Sequence, residues 1–126
     1  MFALAPSALS DGYRLEAHQS VTSTNALALE RAREGDPGRL WIVSRHQTGG
    51  RGRRGRAWET PVGNLAATVL LVESFDPATA ATLGFVAGLS LSDARNSRHG
   101  PPGAMVPIAP AQFGRTQPAT VALGEF

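Results

Sequence analysis

Residues 49–56 read Gly-Gly-Arg-Gly-Arg-Arg-Gly-Arg. Glycines let a backbone turn its N–H groups toward an anion without side-chain obstruction. Arginines add planar forks that match phosphate or carboxylate oxygens. Composition alone leaves three readings open: an anion-binding loop, an arginine/glycine arm that contacts nucleic acid, and a solvated basic loop with no ligand. Position narrows them. Arginine/glycine arms usually sit in termini or long disordered segments. This run is short, lies between two apolar strand candidates and is followed by Trp58. Its arginines are expected at the mouth of a sheet, where α/β ligand sites form, which favours a small anionic ligand.

Ser23-Thr24-Asn25 is the second cluster. Its simplest role is to cap a helix. Its functional reading is a set of hydroxyl and amide groups at a helix start, able to bond a polar ring or a carboxylate. Gly63-Asn64-Leu65 reads as a turn into a strand. His18, His46 and His99 have no metal-ligand spacing, and Glu16, Glu30, Glu34 and Glu59 form no paired-carboxylate pattern. Trp41 reads as core and Trp58 as an anchor for the loop.

These groups need elements to hold them. Residues 13–20 alternate weakly and predict a strand. Residues 26–34, ALALERARE, are strong helix formers, with Gly35 where a C-cap glycine belongs. Asp36-Pro37-Gly38 is turn chemistry. Leu40–Ser44 predicts a buried strand. Residues 46–57 hold four glycines and no hydrophobic period, and are expected to be a loop. Residues 64–72 are almost continuously apolar, as in a strand buried on both faces. Asp76-Pro77 starts a helix that should run to about Ala94, with Gly84 and Gly88 where it packs closely. Beyond Ala94 the chain holds five of its nine prolines and is expected to be irregular.

The 126 residues are enough for one domain, and 42% hydrophobic residues with a net charge of +2 exclude a disordered polyelectrolyte. There is no cysteine, so disulfide scaffolds and thiolate zinc sites are excluded. All 12 basic residues are arginine, so a small surplus of charge lifts the pI to about 10.4. That value says nothing about a nucleic-acid partner; only local clustering can. No signal peptide or membrane span is read, and a cytoplasmic protein is expected.

Taken together, Ser23-Thr24-Asn25, the run from Gln47 to Trp58 (QTGGRGRRGRAW) and Gly63-Asn64-Leu65 resemble the biotin protein ligases, or biotin–[acetyl-CoA-carboxylase] ligases, in motif, order and spacing. The resemblance covers about residues 13–94, the N-terminal part of that family's catalytic domain. It implies an α+β fold: a partial mixed sheet with flanking helices, of the class II aminoacyl-tRNA synthetase and biotin ligase kind, with an irregular C-terminal tail. It implies biotin and ATP as substrates, with Mg2+. Biotin would become biotinyl-5′-AMP and then pass to a lysine of the biotin carboxyl carrier protein of acetyl-CoA carboxylase. By the same resemblance Ser23, Thr24 and Asn25 border the biotin pocket and Gln47 faces the ligand. Gly50, Arg51, Gly52, Arg53, Arg54, Gly55 and Arg56 would form the loop that closes over biotin and adenylate, with Arg51 and Arg53 as its catalytic groups. The chemistry agrees with these residue types. Attack of a carboxylate on the α-phosphate builds negative charge that arginines stabilise, and a closed loop keeps the mixed anhydride from water.

The chain also departs from that family. The Lys-Trp-Pro-Asn-Asp run expected next, with its magnesium-site aspartate, is absent, and there is no lysine to meet biotin and phosphate. No metal ligand is assigned. No helix-turn-helix is read, so the expectation is a ligase without a DNA-binding domain. Residues 1–94 are expected to be an incomplete catalytic domain and 95–126 a Pro/Gly-rich tail, as in a truncated or frame-shifted ligase. Strand 64–72 and the following helix would then leave apolar surface uncovered. A non-catalytic fragment that binds biotin or adenylate is the alternative, followed by a basic-loop nucleic-acid binder.

Overall fold

A computed structural model describes residues 2–51, 53–58, 63–73, 76–96, 112–113 and 119–123. A short helix α1 (Pro6–Ser10) leads into strand β1 (Arg14–His18), helix α2 (Thr24–Arg33) and strand β2 (Leu40–Ser44). A two-stranded hairpin, β3 (Gly50–Arg51) with β4 (Ala57–Trp58), precedes β5 (Ala66–Leu71) and helix α3 (Pro77–Asn96). Two strands follow, β6 (Gln112–Phe113) and β7 (Ala119–Leu123). The main sheet has the order β1-β2-β5-β7-β6. β1 and β2 are parallel and every other pairing is antiparallel, so the sheet is mixed.

Helix α2 is the crossover that parallel pairing of β1 and β2 demands. Ser23 caps it by accepting the Ala26 N–H at 3.3 Å. Gly35 ends it at φ +88°, a conformation that favours glycine. Its buried residues Thr24 and Ala28 are four apart and so share one face. Ala28 packs with Leu40, Ile42 and Leu70, flanked by Leu27 and Ala32. β2 and β5 are buried along nearly their whole length, as their continuous apolar character requires.

Two expectations differ from this fold, and one helix goes beyond them. Residues 46–57 are not loop throughout, because Gly50 pairs with Trp58 and Arg51 with Ala57. The tail is expected to be irregular, yet Ala119–Leu123 pairs with β5. β5 would otherwise leave a row of backbone groups unpaired, and the Thr-Val pair in β7 suits a strand. Helix α1 has no periodic signal; it forms at a proline in its first turn and stops before Gly12 at φ +81°. Helix α3 starts as expected, with Asp76 accepting the N–H groups of Ala78 and Thr79 at 3.1 and 3.0 Å. Phe85, Val86 and Leu89 on it are 75%, 56% and 69% exposed, in keeping with the apolar surface expected there.

Ion pairs fasten α2 to the sheet edge. Arg31 grips Glu16 of β1 with two bonds, Nε to Oε2 at 3.0 Å and Nη2 to Oε1 at 2.8 Å. His18 Nε2 adds a third contact to Glu16 at 2.9 Å, and Arg31 also reaches Glu34 at 3.2 Å. The Arg31 hydrogen bonds, more than offsetting partial burial, hold the Glu16 carboxyl below its ordinary 4.5. Asp36 is also lowered: burial would raise it, but Arg14 Nη2 at 2.6 Å and the Gly38 N–H at 2.8 Å outweigh that.

Two measurements follow. A carboxyl depressed by folding adds stability above its unfolded value and loses it as pH falls through the folded one. The thermal unfolding midpoint should therefore fall below about pH 4.5 in the wild type, and Glu16→Gln should flatten that acid limb while lowering the midpoint at pH 7. In urea, Leu70→Ala should lose about 2–5 kcal/mol, because Leu70 is 0% exposed. Phe85→Ala should stay within about 0.5 kcal/mol of wild type, as exposed positions do.

Candidate functional site

The register of the sheet decides where the chemistry-bearing segments lie. His18, Ser44 and Ala66 stand side by side at one edge. β1 and β2 both leave the sheet there, and β5 enters there. The segments 19–24, 45–58 and 63–65 therefore converge on one edge, although the sequence spreads them over more than forty residues. Sheet exits with a helix start above them are a common place for ligands in α/β proteins.

A backbone clasp joins the first two segments. Val21 N–H bonds His46 O at 3.1 Å, Thr48 N–H bonds Val21 O at 2.9 Å, and Gly49 N–H bonds Thr22 O at 2.7 Å. The chains run so close that a Cβ on Gly49 would sit 2.7 Å from Thr22 Cγ2. Inside the clasp, Gln47 Oε1 accepts both the Thr24 N–H at 2.7 Å and the Thr24 hydroxyl at 3.1 Å. Thr24 Oγ1 also meets Thr68 Oγ1 at 2.9 Å. Ser44, fully buried, donates to His46 O at 2.8 Å and receives the His46 N–H at 3.3 Å, which turns the chain out of β2 toward Gln47.

The same sheet face thus changes character along its length. Leu40, Ile42 and Leu70 make it apolar under α2. Thr68 and Ser44 make it polar near the edge, beneath Thr24. The partial positive charge at the α2 N-terminus lies over that polar end.

The arginine run projects from the same edge. Gly50 is buried at the hairpin base, whereas Arg51, Arg54 and Arg56 are exposed. Among the described residues no carboxylate pairs with these three. Arg54 has φ +59° and Gly55 φ +71°. Left-handed backbone is ordinary for glycine but costs a residue with a Cβ about 1 kcal/mol. Gly52 lies outside the described residues, as do the side chains of Arg53 and Trp58. Ser23, Thr24, Asn25, Gln47 and Gly50 thus stand together at the edge, with Arg51, Arg54, Gly55 and Arg56 on the hairpin beside them.

Sequence reasoning missed Thr68, Ser44 and the Gly49–Thr22 approach. Thr68 did carry a signal: it is the lone polar side chain of the run Leu65 to Val72. Ser44 and Gly49 carried none, since a serine after a strand and a glycine in a glycine-rich run are unremarked. Glu16 and Glu34 pair with Arg31, a structural role; Glu59 and His99 lie outside the described residues. Among the described residues no three His, Asp or Glu side chains cluster closely enough to hold a metal ion.

The Biotin/lipoate A/B protein ligase family matches residues 17–109. The chain belongs to that family. The match runs past Ala94, where the sequence pattern was expected to stop. A biotin–[acetyl-CoA-carboxylase] ligase of Paracoccus denitrificans is 48% identical over 79 residues, 63% of this chain and 32% of that protein. The chain thus spans about a third of the length of that curated relative. The biotin protein ligase of Aquifex aeolicus, solved in complex with biotin and ATP, is 33% identical with a TM-score of 0.53, over 67% of this chain and 34% of that one. The biotin acetyl coenzyme A carboxylase synthetase of Helicobacter pylori is 19% identical with a TM-score of 0.61, over 87% of this chain and 58% of that one, a likeness of fold. The mixed sheet with flanking helices is therefore the α+β fold of this ligase family's catalytic domain, in part.

The clasp gives a direct test. Gly49→Ala should lower stability by about 1–3 kcal/mol by overpacking against Thr22. Thr22→Ser removes Cγ2 and should recover part of that loss in the double variant, measured by urea unfolding.

Proposed function

We propose that the chain carries the ligand-binding edge of an ATP-dependent biotin ligase. That enzyme activates biotin to biotinyl-5′-AMP and transfers it to a lysine of a biotin carboxyl carrier protein of acetyl-CoA carboxylase. The observation that carries the reading is the convergence of the Ser23–Asn25 segment, Gln47 and the arginine hairpin on one sheet edge. Membership of the ligase family and the ligands of the Aquifex enzyme support it.

The residues suit each step. Ser23, Thr24, Asn25 and Gln47 supply the hydroxyl and amide groups that a polar bicyclic ring needs. A biotin carboxylate oxygen attacks the α-phosphorus of ATP, the new O–P bond forms, and pyrophosphate leaves with the electron pair of the broken bond. Arg51 and Arg53 are assigned to the negative charge that builds on the phosphate, and Arg54 and Arg56 to the closing loop with Gly50, Gly52 and Gly55. Closure shields the anhydride from hydrolysis until the carrier lysine attacks its carbonyl carbon and AMP departs. The absence of cysteine accords with a cytoplasmic setting.

A second reading has its own observation. The chain contains no lysine, so these residues lack the cation that the family resemblance places on biotin and phosphate. Impaired turnover, or binding of biotin and adenylate without turnover, is what that loss implies for the chain alone.

Biotin-dependent formation of biotinyl-AMP from labelled ATP and Mg2+ tests both. Turnover is the expected outcome for the ligase reading, with Arg51→Ala or Arg53→Ala slowing it about a hundredfold. Biotin-dependent thermal stabilisation without product would leave the binding reading. A folded chain showing neither, yet binding random oligonucleotide in a salt-dependent way, would overturn both in favour of nucleic acid.

A further inference from the structure

Thr68 is a hydroxyl in the middle of an apolar strand, 0% exposed and in register with Ile42. Burial strips water from that group, so it needs a partner inside the protein. Its partner is Thr24 Oγ1, 2.9 Å away. Counting protons fixes the direction of that bond. A glutamine Oε1 can only accept, so the single hydroxyl proton of Thr24 goes to Gln47 at 3.1 Å. Thr24 Oγ1 is then left with lone pairs alone, and the Thr68 proton must point to it. The result is a one-way chain: Thr68 O–H to Thr24 O–H to the Gln47 carbonyl.

The end of the chain matters most. Gln47 Oε1 also takes the Thr24 backbone N–H at 2.7 Å. Reversing the amide would set its NH2 against the Thr24 N–H, which can only donate, and would force both threonine hydroxyls to turn round. Each donor that stays in place therefore raises the barrier to reversal, and the polarised chain strengthens both bonds. An amide held this way keeps a single orientation at the edge where the chemistry-bearing segments meet.

We propose that Thr68 is a positioning residue for the biotin site: from one layer below, its hydroxyl holds Thr24 and through it the orientation of the Gln47 amide. The inference rests on the ligase reading, and two readouts separate them. The first is the side-chain amide NMR signal pair of Gln47 in the ligand-free chain. The second is the affinity for biotin and, separately, for ATP, by calorimetry.

Thr68→Val keeps the shape and deletes the donor. It should shift or broaden the Gln47 pair and weaken biotin about tenfold, with ATP affinity changed less than about twofold. Thr68→Ser, which restores the hydroxyl, should return both readouts to wild-type values. If Thr68→Val does not fold, Thr68→Ala deletes the same donor without crowding and is read the same way. Unmoved Gln47 signals, with biotin still bound as in wild type, would overturn the role of Thr68 alone. Equal weakening of biotin and ATP with unmoved Gln47 signals would show general loss of stability and overturn it too. A wild-type chain that fails to bind biotin would instead sink the ligase reading, and the ligand role of Thr68 with it.

Discussion

The hydroxyl of Thr24 has one proton to give, and much of the site depends on where it goes. Thr24 begins helix α2, yet its side chain is buried between the sheet below and Gln47 beside it. A buried hydroxyl in that position must satisfy its donor and its acceptor inside the protein. Doing so ties the helix start, the exit of β2 and the middle of β5 into one hydrogen-bonded unit. Because β1 and β2 are parallel, both leave the sheet at the edge where that unit sits.

Stability and chemistry divide the same sheet face. Under the body of α2 it is Leu40, Ile42, Leu70 and Ala28, and the helix adheres through apolar burial. Toward the edge it becomes Thr68 and Ser44, whose hydroxyls fix directions that apolar contacts cannot. The Glu16–Arg31 clamp holds the helix from its outer flank. Site and core therefore share elements without sharing residues.

The arginine hairpin obeys a different rule. Arg51, Arg54 and Arg56 are held out in water, with no carboxylate partner among the described residues. Exposed charges of one sign repel one another, and Arg54 adds a left-handed backbone. A loop built this way concentrates positive potential at the sheet edge. The hairpin base, with Gly50 buried and paired to Trp58, keeps that loop anchored at the edge.

Much of this was legible in the sequence, for local reasons. The helix formers after Ser23, the β-branched run at Leu40–Ser44 and the Asp76-Pro77 start each encode their element within a few residues. The Gly/Arg run announces a basic, glycine-rich turn through residue type alone. β7 was not legible, because a strand in a proline-rich tail is recruited by the unpaired edge of β5 rather than by its own period. Nor were the roles of Thr68, Ser44 and Gly49. Each acts on a residue distant in sequence, through a hydroxyl direction or a close approach that exists only once the strands are in register. Sequence by itself determined which groups are present and which elements carry them. Tertiary structure decided which groups meet, because hydrogen-bond partners and clearances are set by parallel pairing and helix docking, and neither is written in local residue order.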